Sequence, residues 1–309
     1  MFTLAHLSDP HLSPLPRPRL GELVGKRVTG FLSWSLRRKA IHGGPVLERL
    51  TADLRETAPD HIVVTGDIIN ISLPGEYTQA EAWLRRLGPP ERVTIIPGNH
   101  DAYVVTKWPE SIGLWAAYMA GSAPGRSDGE TAVCSNEDFP FLRIRGPLAI
   151  VGVSTACPMP PLSAAGRIGE QQLDKLKQQL EQLGREGLFR VVLIHHPPFD
   201  SRDQRRKGLL DSGAFRAVVA EVGAELILHG HTHRSGLAKL PTPDGFAPVI
   251  GVPSASAKYG HDGRGHSQYH LYRVQQDGNG WRIDVEVRGV VPTLDRFERE
   301  SRFSLAIPH

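Results

Sequence analysis

The stretch Ile96-Pro97-Gly98-Asn99-His100-Asp101 closes an apolar run, Val93-Thr94-Ile95-Ile96, that reads as a buried strand stopped by Pro97 and Gly98. It delivers an amide oxygen, an imidazole and a carboxylate at the point where a hydrophobic core ends. Taken alone, Gly-Asn-His-Asp is also good turn composition, with His100 capped by Asp101. Four other stretches end in the same manner: Asp9-Pro10-His11, Gly66-Asp67, His195-His196-Pro197 and Gly230-His231-Thr232-His233.

Outward from this turn the chain alternates strand and helix. Phe2 to Ser8, His61 to Thr65, Arg92 to Ile96, Leu148 to Ser154, Arg190 to Ile194 and Glu225 to Leu228 read as strands. Between them, Pro45–Glu56, Glu76–Leu87, Glu170–Leu183 and Phe215–Val222 place apolar residues at helical spacing. Pro45 suits a first turn and Gly184 a stop. Residues 103–147 read as irregular, with a Gly/Ser/Asp-rich loop at 121–130. Ala247–Val252, Gln268–Gln275 and Arg282–Arg288 form an expected β-meander within 240–290, and 291–309 an expected polar, peripheral tail. The reading is an α/β fold, one domain over 1–309, with its motifs between residues 2 and 235.

The totals are those of an ordinary globular protein: 309 residues, 40% hydrophobic and 22% charged. A formal charge of +3 is too small to argue for a nucleic-acid partner. Cys134 and Cys157 imply no disulfide framework and fit a reducing compartment. No charged and apolar leader precedes Phe2, and no apolar run approaches the roughly 20 residues that span a bilayer. A cytoplasmic protein is expected, at most peripheral at the inner membrane surface.

If the motif-bearing strands lie side by side, their polar clusters converge at the edge where open α/β sheets bind ligands. The collected groups are Asp9, His11, Asp67, Asn99, His195, His231 and His233. Carboxylate, amide oxygen and imidazole without thiolate suit Mn, Fe, Zn or Co. Seven ligands exceed what one tetrahedral ion takes, and Asp67 suits a bridge between two ions. The spacing of His231 and His233 puts both imidazoles on one side of an extended segment.

In this order, Asp-x-His, Gly-Asp, Gly-Asn-His-Asp, His-His-Pro-Pro and Gly-His-Thr-His resemble the motifs of the calcineurin-like metallophosphoesterase superfamily, over residues 2–235. The resemblance implies a two-sheet sandwich in four layers, α/β/β/α, flanked by helices. It implies two divalent ions (Mn2+, Fe2+/Fe3+ or Zn2+), one held by Asp9, His11 and His233, the other by Asn99, His195 and His231, with Asp67 bridging. A hydroxide between them attacks phosphorus, and His100, oriented by Asp101, assists departure of the leaving oxygen. His195 is the ligand of the His-His pair and His196 lines the substrate pocket. The variants present are most similar to bacterial phosphodiesterases of the cyclic-nucleotide and glycerophosphodiester kind, which makes a phosphodiester the expected substrate. Pro10 between the first two ligands departs from the common pattern, but it restricts only the loop backbone.

An insertion near residues 12–43 carries the clue to substrate. Within 20–42, Leu20, Leu23, Val24, Val28, Phe31, Leu32 and Leu36 recur at helical spacing among Lys26, Arg27, Arg37, Arg38 and Lys39. One reading is a cap over the site with a solvated basic face, steering any anionic substrate. The other has Phe31, Leu32, Trp34 and Leu36 facing lipid, while Arg37, Arg38 and Lys39 meet phosphate head groups. The second reading points to a lipid-linked nucleotide pyrophosphatase resembling UDP-diacylglucosamine hydrolases. A phosphomonoesterase and a non-catalytic interaction scaffold are the remaining alternatives. His6, His42, His61, His229, His261, His266, His270 and His309 are expected to be structural or superficial, including the two in the Gly-rich loop Tyr259–His266.

Overall fold

Twelve strands form in the computed structural model, which describes residues 1–121, 133–200, 204–260, 263–278, 280–293 and 295–308. The loop expected at 121–130 (beyond Gly121), His261 and His309 lie outside the described residues. The strands are β1 (Phe2–Leu7), β2 (His61–Val64), β3 (Val93–Ile95), β4 (Phe141–Arg145), β5 (Leu148–Gly152), β6 (Phe189–Leu193), β7 (Leu226–His229), β8 (Gly236–Thr242), β9 (Gly245–Gly251), β10 (Gln268–Asp277), β11 (Gly280–Val290) and β12 (Phe297–Ile307).

They form two six-stranded mixed sheets, ordered β12-β11-β10-β1-β2-β3 and β4-β5-β6-β7-β9-β8. In each sheet the motif-bearing strands run parallel to one another, β1 with β2 and β2 with β3 in the first and β6 with β7 in the second, where β5 also lies parallel to β6. Parallel strands are covered on both faces, and their sequences show it. In β5, Leu148 and Ile150 join the core shared by the two sheets, whereas Ala149 and Val151 point to the opposite face under the helices. β6 repeats this period of two, with Val191 and Leu193 toward one core and Val192 toward the other.

Helices Glu170–Arg185 and Ser212–Val222 cover the outer face of the second sheet with Leu173, Leu176, Leu180, Leu183, Phe215 and Val219. Each leucine so buried contributes about 1.5–3 kcal/mol. Helices Gly44–Thr57 and Pro74–Leu87 supply Val46, Leu47, Leu50, Leu54, Trp83 and Leu84 to the core of the first sheet. The result is the expected α/β/β/α sandwich. No helix among the described residues is long and apolar enough to cross a membrane.

Four sequence expectations are corrected. Residues 103–147 contain β4, an antiparallel edge to β5, and a 3₁₀ segment, Ile112–Met119, that buries Trp115 and Met119. Fully buried Arg143 within β4 organises this region, donating to the carbonyls of Pro90 at 2.7 Å, Val93 at 2.8 Å and Ala117 at 2.7 Å. The helix from Glu170 runs past Gly184 to Arg185, and the turn falls at Gly187, whose φ is +69°. The meander is divided: β9 pairs parallel with β7 in one sheet, while β10 and β11 extend the other from β1. Part of the tail is β12, eleven residues long, ten of them paired antiparallel with β11.

Buried histidines line the sheets beneath the site. Burial, then the cations of Arg145 and Arg143, push His61 down to about 3 from 6.5; burial alone brings His270 to about 4. Both are therefore neutral in the fold and protonate more readily when it opens. Their contribution is complete above the unfolded value of 6.5 and is lost as pH falls toward those depressed values. Thermal melts between pH 7 and pH 4 should show a falling midpoint, with a shallower fall in His61→Gln. Equal slopes in the two proteins would remove His61 from the account.

Candidate metal centre

The polar clusters do meet, but not at the edge of one sheet. Asp9 and His11 follow β1, Asp67 follows β2, and Asn99 and His100 follow β3; His195 follows β6, and His231 and His233 follow β7. Each sheet contributes one set, and the sandwich brings the two edges face to face. The loops are wound tightly to do this. Asp9, His11, Asp67, His231 and His233 have φ of 52°, 39°, 54°, 65° and 55°, left-handed values that side-chain-bearing residues rarely adopt. Backbone bonds hold them there: Asp9 N–H donates to Gly66 O at 3.0 Å and His11 N–H to Asp67 O at 3.1 Å. Gly66 must be glycine, because a Cβ would sit 2.6 Å from Gly98 N and 2.8 Å from His195 Nδ1.

Within the cluster, His233 Nε2 lies 3.1 Å from Asp9 Oδ1 and 3.3 Å from His11 Nε2. Asn99 Oδ1 lies 3.2 Å from His195 Nε2 and 2.9 Å from His231 Nδ1. Asp67 stands between these groups, its Oδ2 3.4 Å from His195 Nε2 and 3.9 Å from His11 Nε2. All seven are nearly or fully buried except His231, which is half-buried.

The hydrogen bonds behind the imidazoles say what belongs in front of them. His195 Nδ1–H donates to Thr65 O at 2.6 Å, His231 Nε2–H to Lys207 O at 2.8 Å, and His11 Nδ1–H to Ile69 O at 3.2 Å. A neutral imidazole has one donor, so the nitrogen facing inward is then a lone pair. Lone pairs of His195 and His231 confront the oxygens of Asn99 and Asp67, and Asp9 Oδ1 is buried without a hydrogen-bond partner. Acceptors converging on acceptors in a buried pocket call for a cation. Where only a proton is offered, the pocket takes it: burial disfavours a charge on His195, yet Asp67 and Asp9 raise it to about 9. The donor set of oxygen and imidazole fits divalent metal ions, in groups of Asp9, His11 and Asp67 and of Asp67, His195 and His231 whose ligand atoms lie within 4.8 Å.

The other expected site residues fall differently. His100 stands beside the cluster, its backbone N–H on Asp67 Oδ1 at 2.7 Å and its Nδ1–H on Asn70 O at 2.5 Å, so Asn70 and not Asp101 orients the ring. Asp101 is fully buried and serves the backbone: its carboxylate accepts Gly98 N–H at 2.8 Å, Ile68 N–H at 2.9 Å and Ile69 N–H at 3.1 Å. That ties the loop after β3 to the loop after β2. His196 has both nitrogens engaged, with Thr155 Oγ1 at 2.7 Å and Ala164 O at 3.0 Å, and braces the ring of His231 4.3 Å away.

The insertion does cover the site, and its two arginines part company. Arg38 Nη2 lies 3.1 Å from His100 Nε2 and 3.3 Å from His11 Nε2, whereas Arg37 is exposed and outside the cluster. His42, read from sequence as structural or superficial, is buried with its ring 4.7 Å from that of His11. Its place four residues after Arg38, on the same side of a helical turn, was the available signal. His266 does not reach the site; it pairs with Glu300 of β12 at 2.5 Å.

This two-sheet sandwich with a cation-demanding histidine–aspartate cluster at facing strand ends defines a class, the dimetal phosphoesterases. The chain belongs to the calcineurin-like phosphoesterase family, whose profile matches residues 2–235. It is a metal-dependent phosphoric ester hydrolase. A relative named probable cyclic nucleotide phosphodiesterase, from Synechococcus sp., is 25% identical over 213 residues, covering 67% of this chain and 69% of the relative. A dimetal phosphatase from Danio rerio is similar in structure, with a TM-score of 0.61 at 15% identity over 99% of this chain and 98% of that one.

Asp101→Ala leaves three buried amide donors without acceptors, each costing about 1–3 kcal/mol. The expected result is a protein several kcal/mol less stable in denaturant titration. A variant of unchanged stability but reduced turnover would restore a direct role beside His100.

Proposed function

We propose that this enzyme hydrolyses a phosphodiester, with the phosphate lodged between the metal cluster and Arg38. The carrying observation is the guanidinium laid across His100 and His11 at 3.1 and 3.3 Å, a cation placed at the mouth of a cluster of ion-binding side chains. The name of the Synechococcus relative supports the diester. Two divalent ions bound by Asp9, His11, Asp67, Asn99, His195, His231 and His233 would supply an acidified water and charge on the phosphoryl oxygens. Manganese, iron and zinc all suit these donors.

The remaining work falls to side chains. In the free protein His100 Nε2 accepts from Arg38, and burial followed by that cation lowers its pKa to about 3, so it is neutral. A phosphate seated between them takes over the guanidinium bonds and brings a negative charge to His100, which favours its protonated form. His100 then donates to the leaving oxygen. Tyr103, stacked on the ring at 5.7 Å and 4°, keeps it in plane.

Supplied with Mn2+, the enzyme should turn over bis-p-nitrophenyl phosphate with a higher kcat/KM than p-nitrophenyl phosphate; the reverse order makes it a monoesterase. His100→Ala should slow an alkyl diester by about 100-fold or more, since alkoxides need a proton to leave, and an aryl diester much less. Equal losses would deny it that role. Arg38→Ala should lower kcat/KM about tenfold to hundredfold, and Arg37→Ala should not.

A second reading, a lipid-linked diphosphate taken from a membrane surface, is supported by the outer face of the insertion. Phe31 and Trp34, expected to face lipid, instead pack inward with Leu15, Ile71 and Leu73. The side left to solvent carries Val24, Val28, Leu32 and Leu36, four residues apart and 60%, 42%, 53% and 79% exposed. Exposed Arg37 and Lys39 flank it. Co-sedimentation with phosphatidylglycerol vesicles should be lost in Leu32→Glu/Leu36→Glu while hydrolysis of the small diester persists. No binding by the unaltered protein would end this reading.

A further inference from the structure

We infer that His42, from the insertion, is an additional metal-binding side chain for the ion held by Asp9, His11, Asp67 and His233. This rests on the metal reading of the cluster and extends it to a residue outside the strand-end motifs.

Three observations converge. One ring nitrogen each of His11, His42 and His233 fall within 4.8 Å of one another, a spacing that one ion can bridge. The His42 ring centroid is 4.7 Å from that of His11 and 5.9 Å from that of His233, and the side chain is only 3% exposed. His42 Nδ1 is paired with Ser256 Oγ at 2.9 Å, which holds the orientation of the ring by a hydrogen bond at one nitrogen.

The backbone that carries His42 is anchored as a site residue's backbone must be. Its N–H donates to Arg38 O at 3.0 Å, and it forms an antiparallel bridge with Ala257. Gly43 N–H donates to Ser256 O at 2.9 Å and Lys258 N–H to Ile41 O at 3.0 Å. Ser254, on the same segment, donates its hydroxyl to Asp9 O at 2.7 Å. The segment after β9 thus clamps the end of the insertion and the first ligand loop together. With His42 the pocket offers two carboxylates and three imidazoles, more donors than a tetrahedral ion takes and suited to a six-coordinate ion such as Mn2+.

The consequence is a coupling. His42 is one helical turn from Arg38, so loading this ion pins the segment that places the guanidinium over the phosphate.

The test uses the full chain, stripped with chelator and titrated with Mn2+ alone by calorimetry and equilibrium dialysis. The unaltered protein should take up two ions. In His42→Ala the dissociation constant of one should rise about tenfold or more while the other holds. Hydrogen exchange over residues 26–41 should slow on Mn2+ addition in the unaltered protein and not in His42→Ala. His42→Asn, which retains a polar partner for Ser256, serves as the second variant, and melting in chelator shows whether either is merely misfolded. Two ions bound with unchanged constants in both variants overturn the assignment and leave the metal reading standing. An unaltered protein that binds no Mn2+ overturns both.

Discussion

Two carboxylates, Asp9 and Asp67, are sunk where water scarcely reaches, with exposures of 0% and 2%. Burying an uncompensated charge is costly, so the fold must surround them with positive charge or donors. Backbone N–H groups of His231 and His100 donate to Asp9 Oδ2 and Asp67 Oδ1. The imidazoles around them, however, commit their outer nitrogens to the carbonyls of Thr65, Ile69 and Lys207, so their inner nitrogens are acceptors and the balance calls for a cation. The inner nitrogens of His11, His195 and His231 thus face the carboxylates and the Asn99 oxygen with electron pairs. The left-handed loops, the glycines beneath them and the buried Asp101 all serve to hold that otherwise unfavourable convergence in place.

The backbone scaffolding of the cluster is as specific as its side chains. Asp101 ties the loop after β3 to the loop after β2, and Glu76 does the same for the next stretch. Its carboxylate accepts Asn70 N–H at 2.7 Å, Leu73 N–H at 2.9 Å and Ile71 N–H at 3.1 Å. Asn70 in turn offers the carbonyl that orients His100. A helix start, a loop and the ring beside the cluster are thus one connected unit. The insertion docks on it through a small apolar core of Leu15, Ile71 and Leu73 with Phe31 and Trp34 against it. That contact turns the basic helix so that Arg38 looks inward and Arg37 outward.

The elements legible in the sequence are those whose pattern is local. β1, β2, β3, β5, β6 and β7 are short apolar runs ended by turn residues, and the four covering helices have clean apolar stripes. β4 escaped notice because a fully buried arginine sits in its middle, satisfied by carbonyls from distant segments that no window of sequence contains. β12 escaped because an edge strand exposed on most of its length is written in charges, Phe297-Glu298-Arg299-Glu300-Ser301-Arg302. Gly184 lies inside the helix from Glu170 rather than ending it, and it is glycine because Arg190 lies against it; a Cβ there would meet Nη1 at 2.6 Å.

Sequence alone determined the chemistry of this protein: which side chains stand at the ends of which strands, in an order that names the family and its donor set. That much is local, since an apolar run followed by Asp, Asn or His carries its own meaning. Only the tertiary structure decided that two sheets, not one, supply the cluster, that Asp101 braces backbone and leaves His100 to Asn70, and that Arg38 and His42 reach the centre. Those facts depend on distances between segments far apart in the chain, set by core packing and buried hydrogen bonds that no local pattern encodes.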